Sequence, residues 1–571
     1  MSGLSRIPEK INPCAVLLLC LLLAYLCNHS QLCASDPAPP RLTVVIAIDQ
    51  FPQEYLTRFA SGLSETGFVK QLLKRGTQFT NCHHEHAFTF TGPGHSVMLT
   101  GAHPASTGII GNHWYDRTRR TVVNCVEDRN TSIVMTGDAS QQIGRSPRNL
   151  ILPTVGDTLK LTTGNRSRIY SIAFKDRAAI LMGGHLADGV YWFDDTTGQW
   201  ITSSYYQSSL PEYIDNLNRR RDVESFAGMT WNLINNISNY RIFRPDDSPY
   251  EKGPASLGNS FPHHLPNRPG EKYYSALKVS PFANEWSLSL AQLLIEKEEL
   301  GQDAIPDILT IGLSANDYIG HHYGPYSLEV QDVTFRTDQM LGNFLRWLIE
   351  TRGVDPLVIV TSDHGICPIP EFTATQGLKS GRVPLASPAV FENYLESILV
   401  THFGRLPSQS RYIRHLDYFE IYLDRTLPEL QNQGYQKAQR IIRDELLKHP
   451  DIAVSFTRDQ LIAHDLNPRS SGSDSMITRF AKTFYEKRSG DILFAFRPFH
   501  LPIQKYPTTH GSPWQYDRQV ILMVGGPGIP QGNSAAAVSP AQIAPTLAAL
   551  LGIRAPAGSM AAPVFELLPK R

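Results

Sequence analysis

The sequence predicts an α/β fold: a doubly wound, mostly parallel central sheet flanked by helices and interrupted by inserted cap regions. Three observations predict it. Short β-branched apolar runs, the kind buried on both faces of a parallel sheet, alternate with helical segments. Several of these runs end in charged residues, and the C-terminal tips of parallel strands are where α/β proteins build sites. Two long stretches, 186–280 and 372–500, lose the alternation and read as insertions.

The elements follow in order. Ala15–Leu26 is an unbroken apolar run behind Arg6 and Lys10, followed by the small residues Ala34, Ser35 and Ala38. It reads as a signal peptide over 1–34 and is short for a bilayer span, so a periplasmic or secreted protein is expected. Leu42–Ile48 is a strand ending in Asp49, Thr66–Lys74 a short amphipathic helix and Thr77–Asn81 a second strand. Thr91 then stands on what reads as a sharp turn, made by Gly92, Pro93 and Gly94, with a buried helix resuming at Val97. Thr154–Leu161 is helical, and Ile169–Phe174 is a strand ending in Lys175-Asp176-Arg177. These elements make the first part of the core, 41–185. Tyr191–Trp200 is a hairpin rich in aromatics and opens the first cap, 186–280, expected to lie over the sheet.

The core resumes over 281–371. It holds a helix at Glu285–Leu300, a strand at Ile308–Leu313, the stretch Asp317-Tyr-Ile-Gly-His321 and a long helix at Thr334–Glu350. Strand Leu357–Val360 leads directly into Thr-Ser-Asp363-His364-Gly. The second insertion, 372–500, contains strands at Phe419–Leu423 and Asp491–Phe496 around a helix at Tyr435–Leu447, a small α+β lobe. Residues 501–571 complete the core with Thr508-Thr-His510-Gly, strand Val520–Val524 and helix Pro540–Leu551.

Formal net charge is zero, which removes any electrostatic case for nucleic acid or an anionic membrane as a partner. Beyond the leader no stretch is long and apolar enough to span a bilayer, so no stable membrane partner is expected. Four of the seven cysteines fall in the leader, leaving Cys82, Cys125 and Cys367, too scattered for a Cys-x-x-Cys zinc cluster. In an oxidising compartment a Cys82–Cys125 disulfide would close the loop that carries Thr91. Asn130, Asn165 and Asn236 stand in glycosylation-type sequons.

The chemistry lies in the residues at strand ends: Asp49, Asp317, His321, Asp363, His364 and His510. Singly, each has an ordinary use, an Asp as a helix cap or a His bonded to backbone. Together, carboxylates and imidazoles suit zinc and similar divalent ions. Asp317 and His321 are four apart and share one helix face. With the Thr91 hydroxyl these groups suffice for two ions, the clamp used for in-line phosphoryl transfer.

In this order the motifs resemble the alkaline phosphatase superfamily: Asp49, Thr91 with His95, Asp317-x-x-x-His321, Asp363-His364-Gly and His510-Gly. The resemblance implies two Zn2+ ions, one on Asp49, Thr91, Asp363 and His364, the other on Asp317, His321 and His510. Gly-Asn112-His-Trp-Tyr and Phe-Lys175-Asp-Arg177 resemble the single-chain periplasmic alkaline phosphatases with a threonine nucleophile. In that reading Thr91 attacks phosphorus, Asn112, Lys175 and Arg177 hold the phosphoryl oxygens, and the substrates are small phosphate monoesters. The phosphodiesterase/nucleotide pyrophosphatase branch, which resembles this chain in its metal ligands, is the alternative; its Thr-Phe-Pro-Asn-His stands here as Thr91-Gly-Pro-Gly-His95. A secreted binding protein without catalysis is the remaining reading, and the intact Thr91 argues against it.

Overall fold

Strand β1 (Leu42–Ile48) is buried along its whole length because it packs on both faces: Leu42, Val44, Ile46 and Ile48 enter one apolar core, and Val45 and Ala47 the other. This is why its sequence shows no polar alternation. The computed structural model describes residues 39–137, 142–383, 388–407, 409–466 and 474–569, so the leader expected over 1–34 lies outside the described residues.

Around β1 runs an eleven-stranded sheet. Its other strands are β2 (Gly76–Phe79), β3 (Glu127–Val134), β4 (Ile143–Arg145), β5 (Ile169–Ala173), β6 (Gly189–Asp194), β7 (Gln199–Ser203), β8 (Asp307–Leu313), β9 (Leu357–Thr361), β10 (Leu522–Gly525) and β11 (Gly532–Ser534). Their spatial order is β11-β2-β10-β9-β1-β8-β5-β6-β7-β3-β4. The centre, β9-β1-β8-β5-β6, is parallel as expected. The flanks are not: β10 runs antiparallel to both β9 and β2, and β7, β3 and β4 continue antiparallel on the other side. The sheet is therefore mixed. The hairpin expected to open a cap over the sheet is instead part of it, because its first strand pairs parallel with β5 and a short connection can join only antiparallel neighbours.

Helices cover both faces. Those that position the site are α1 (Thr91–Thr100), α2 (Val155–Thr162), α3 (Asp176–Gly183), α4 (Phe282–Lys297), α5 (Ala315–Tyr323) and α6 (Leu328–Arg346). α2 begins in a capping box, with Thr154 Oγ1 accepting from Asp157 N at 3.1 Å and Asp157 Oδ2 from Thr154 N at 2.7 Å.

The Gly-Pro-Gly segment is not a turn. α1 starts at Thr91 itself, and Gly92, Pro93 and Gly94 form its first turn, where proline costs no hydrogen bond because an N–H at position 93 would have no intrahelical acceptor. A close approach explains the second glycine. A Cβ on Gly94 would lie 2.4 Å from Asp363 O and 2.7 Å from Asp363 Cβ, so only glycine lets α1 reach the turn after β9.

Within the second inserted stretch four strands form a sheet of their own. Strands Ile413–Asp417, Glu420–Leu423, Ile492–Phe496 and Ile452–Thr457 pair antiparallel in that spatial order, beside helices Pro388–Phe403 and Gln433–Lys448. Its core takes in Ala87 and Phe88, which anchors the segment leading to Thr91 against the lobe. The cysteine pairing is overturned: Cys82, Cys125 and Cys367 are all free and buried. Cys82 is fixed at the sheet edge, where its carbonyl accepts from Val520 N at 3.0 Å, while the Cys125 N–H is spent on Asn112 O at 2.9 Å. Burial pushes the Cys125 thiol up to about 12. Among the described residues no helix is long and apolar enough to cross a membrane.

Candidate active site

The ends of the central strands converge. Asp49 follows β1, Asp363 and His364 follow β9, Lys175 caps α3 after β5, and Asp317 and His321 project from α5 after β8. His510 arrives from the segment before β10 and Thr91 from the tip of α1, which together bring in every residue expected at the site except Asn112 and Arg177. Those two line the adjoining cleft of about 220 Å3 together with Thr91, Asp317, His321 and His510.

Two sets of potential ligand atoms form. Asp49, Asp363 and His364 bring one atom each within 4.8 Å of one another, as do Asp317, His364 and His510. His364 is thus shared, and its ring stacks on His510 with centroids 3.4 Å apart. Asp317 Oδ1 lies 3.3 Å from His321 Nε2 and 3.5 Å from His510 Nε2, so it is the meeting point of the second expected group. The three imidazoles are oriented alike. Each Nδ1 meets a backbone carbonyl, Thr508 O for His321 (2.9 Å), Gly365 O for His364 (2.9 Å) and Thr89 O for His510 (2.8 Å). A proton held on Nδ1 leaves the Nε2 lone pair facing the carboxylates, the arrangement of a metal-binding histidine.

The electrostatics are those of a crowded, dry site. Burial, reinforced by Asp363, pushes the Asp49 carboxyl up to about 7 although Lys175 opposes it. Burial would also raise Asp317 and Asp363, but Lys175 and His321 hold the first, and His364 and His95 the second, well below the usual range. Burial alone would lower His364; Asp363 overcomes it and lifts the imidazole to about 9. Both Asp49 oxygens and Asp363 Oδ2 are buried without an aligned hydrogen bond. Carboxylate oxygens that lack an aligned hydrogen bond, beside uniformly oriented imidazoles, fit a divalent cation, and the Asp/His donor set fits zinc.

Thr91 Oγ1 lies 3.5 Å from His364 Nε2 and 3.4 Å from Lys175 Nζ. Asn112 Oδ1 accepts from Gly92 N at 2.7 Å, so the donor end of its amide remains for an oxygen anion. Lys175 differs from expectation. Its ammonium sits between carboxylates of the two groups, 2.7 Å from Asp49 Oδ2 and 2.5 Å from Asp317 Oδ2, because a buried cation pairs with the nearest anions. Among the described residues the Arg177 guanidinium makes only one ion pair, a distant one with Asp176 at 3.8 Å, and its Nε has no hydrogen-bond partner.

One support, Gln50, escaped sequence reasoning, and a second, His95, was read there only with the Thr91 motif. Gln50 carries a left-handed backbone (φ 60°), donates its N–H to Asp363 Oδ1 at 3.1 Å and its side-chain amide to Asp317 Oδ1 at 2.6 Å, and so ties the two groups together. His95 bridges Thr91 O (2.9 Å) and Asp363 Oδ2 (3.3 Å). A polar residue directly after Asp49 was the one available signal for Gln50.

Comparison with known proteins gives a consistent setting. Residues 43–494 match the family described as type I phosphodiesterase / nucleotide pyrophosphatase. Alkaline phosphatase PhoV of Synechococcus elongatus is 32% identical over 533 residues, 93% of each chain. Alkaline phosphatase PafA of Elizabethkingia meningoseptica is 31% identical over 536 residues, 93% of this chain and 94% of that one. The crystal structure of wild-type PafA superposes with a TM-score of 0.82 at 31% identity, covering 93% of this chain and 99% of that one.

Proposed function

The chain belongs to the type I phosphodiesterase / nucleotide pyrophosphatase family of the alkaline phosphatase superfamily, and we propose that within it this protein is a phosphomonoesterase that releases inorganic phosphate. The observation that carries the reading is the Thr91 hydroxyl, held at a helix N-terminus beside His364 and Lys175 and opening on a cleft that Asn112 and Arg177 also line. Relatives named alkaline phosphatases, similar along almost the whole chain, support it.

Asp49, Thr91, Asp363 and His364 would hold one divalent ion, and Asp317, His321 and His510 a second, with zinc the metal these donors suit best. When bound, such ions supply Lewis-acid charge that favours the threonine alkoxide and neutralises oxygen anions. The chain's own groups do the rest. The first turn of α1 turns a positive dipole end towards an incoming phosphate. The Asn112 amide, the Arg177 fork and the Lys175 ammonium meet its non-bridging oxygens, holding phosphorus in line with Thr91 Oγ. The hydroxyl attacks, the alcohol departs with a proton, and water later removes the phosphoryl group from Thr91, returning the hydroxyl.

A monoester is a dianion, and two cationic side chains beside a divalent centre match it better than they match a diester. The family's name favours the diester reading, so the test compares the two. Hydrolysis of an aryl phosphate and of its methyl diester is measured with zinc supplied, on wild type and on Lys175→Ala/Arg177→Ala. Strong monoester preference that collapses in the double variant supports the proposal; equal or faster diester cleavage by wild type moves the function to phosphodiesterase. We further read 1–34 as an export leader, which sequencing the N-terminus of protein recovered from the periplasm or medium tests.

A further inference from the structure

Part of the lining of the cleft comes from the inserted lobe. It is the tip of one hairpin, Asp417-Tyr418-Phe419-Glu420, joining strands Ile413–Asp417 and Glu420–Leu423. All four residues line the cleft, as do Phe90 and Tyr506. Phe90 and Phe419 lie near-parallel, 26° apart, with centroids separated by 6.3 Å. Asp417 Oδ2 is 3.7 Å from Nε2 of His113, the residue after Asn112, which sets the acidic wall next to the proposed phosphoryl site. Glu420 is buried, and the groups that hold it, the Tyr422 hydroxyl at 2.6 Å and Gly490 N at 3.3 Å, carry no charge.

We propose that this wall is a subsite for a cationic leaving group, so that the enzyme favours phosphate esters of alkylammonium alcohols such as choline or ethanolamine phosphate; the inference rests on the phosphomonoesterase reading. Three features converge on it. Aromatic rings attract cations, and Phe90, Tyr418, Phe419 and Tyr506 all line the cleft. Asp417 adds charge of the right sign, and Glu420, which makes no direct ion pair among the described residues, adds to it when ionised. The cleft, about 220 Å3, lies below the roughly 300 Å3 at which pockets for drug-sized ligands begin, which suits a compact leaving group. The substrate it complements is zwitterionic, with its dianion at Thr91, Asn112 and Arg177 and its ammonium against the hairpin tip. Leaving groups that carry carboxylate or further phosphate are repelled by the same wall.

The test compares choline phosphate with 3,3-dimethylbutyl phosphate, its uncharged isostere, and follows 4-nitrophenyl phosphate in parallel as a report on the reaction centre. Wild type should show kcat/KM about tenfold or more in favour of choline phosphate. The ratio should fall towards one in Asp417→Asn/Glu420→Gln and be retained in Asp417→Glu, which keeps the charge. A wild-type ratio near one, with the aryl ester still turned over, overturns the subsite and leaves the phosphomonoesterase reading standing. A wild-type preference that survives in the double variant overturns the assignment to these residues. Failure to hydrolyse any monoester overturns both readings.

Discussion

Replacing Gly94 by alanine should separate activity from stability. The new methyl would sit 2.4 Å from Asp363 O, 2.7 Å from Asp363 Cβ and 2.8 Å from Asp363 Cα. Ordinary carbon contacts begin near 3.4 Å, so α1 and the turn after β9 must separate by about 1 Å. Overpacking of this kind costs roughly 1–3 kcal/mol, but alanine inside a helix recovers up to about 1 kcal/mol relative to glycine. The net loss of stability is therefore modest, about 0–2 kcal/mol. Activity is less forgiving, because the two elements forced apart carry Thr91 and Asp363, and a 1 Å misplacement of reacting groups costs on the order of 100-fold. Gly92→Ala is the internal control: its methyl meets nothing closer than Gly111 O at 3.0 Å, and the change should be several times milder. The assay is kcat/KM on an aryl phosphate together with urea unfolding of each variant. Gly94→Ala within twofold of wild type, in a protein of near-normal stability, would refute the claim that this contact sets the site.

Three further outcomes are expected. Thr91→Ala should lose more than about a thousandfold in turnover while unfolding normally; near-normal turnover ends the nucleophile assignment. Gln50→Ala should weaken metal retention by roughly 10–100-fold, measured by competition with a chelator, because it removes the side-chain bond that orients Asp317; unchanged retention would show that Gln50 is not needed for it. Glu420→Gln should alter the pH dependence of stability. Burial raises the Glu420 carboxyl to about 7, so the native state binds that proton more tightly than the unfolded chain does. The resulting stabilisation is complete below about 4.5 and lost as pH climbs to 7, so between pH 5 and 9 the balance should move in the variant's favour by up to about 3 kcal/mol. Parallel stability curves for the two proteins would contradict this.

The sequence revealed the centre of this fold better than its margins. β1, β5, β8 and β9 were legible because strands buried on both faces must be apolar throughout, and their charged ends marked where side chains gather. On the flanks, β2, β10 and the β6–β7 hairpin were read as elements, but the hairpin was not placed in the sheet because it looks like any exposed one, and β3 (Glu-Asp-Arg-Asn-Thr-Ser-Ile-Val), largely polar, was not read. The start of α1 was hidden because glycine and proline argue locally for a turn, and only the distant Asp363 requires a helix there. Gln50 was hidden for the same reason: its left-handed backbone and both its contacts depend on residues far along the chain. The hairpin tip at 417–420 was only half read, its second strand expected, its place in the lining of the cleft unforeseen.

Strand β10 has a consequence for how the protein is born. It comes from the last tenth of the chain yet lies between β9 and β2, antiparallel to both. Until residue 525 leaves the ribosome, the sheet has an open slot, with the facing edges of β9 and β2 bare and one apolar core lacking Leu522 and Val524. A growing chain therefore cannot lock into its final form early, and unfilled β edges of this kind invite chaperones to hold it loose. Late completion keeps the polypeptide threadable, which is the condition a chain must be in to pass through a translocation channel.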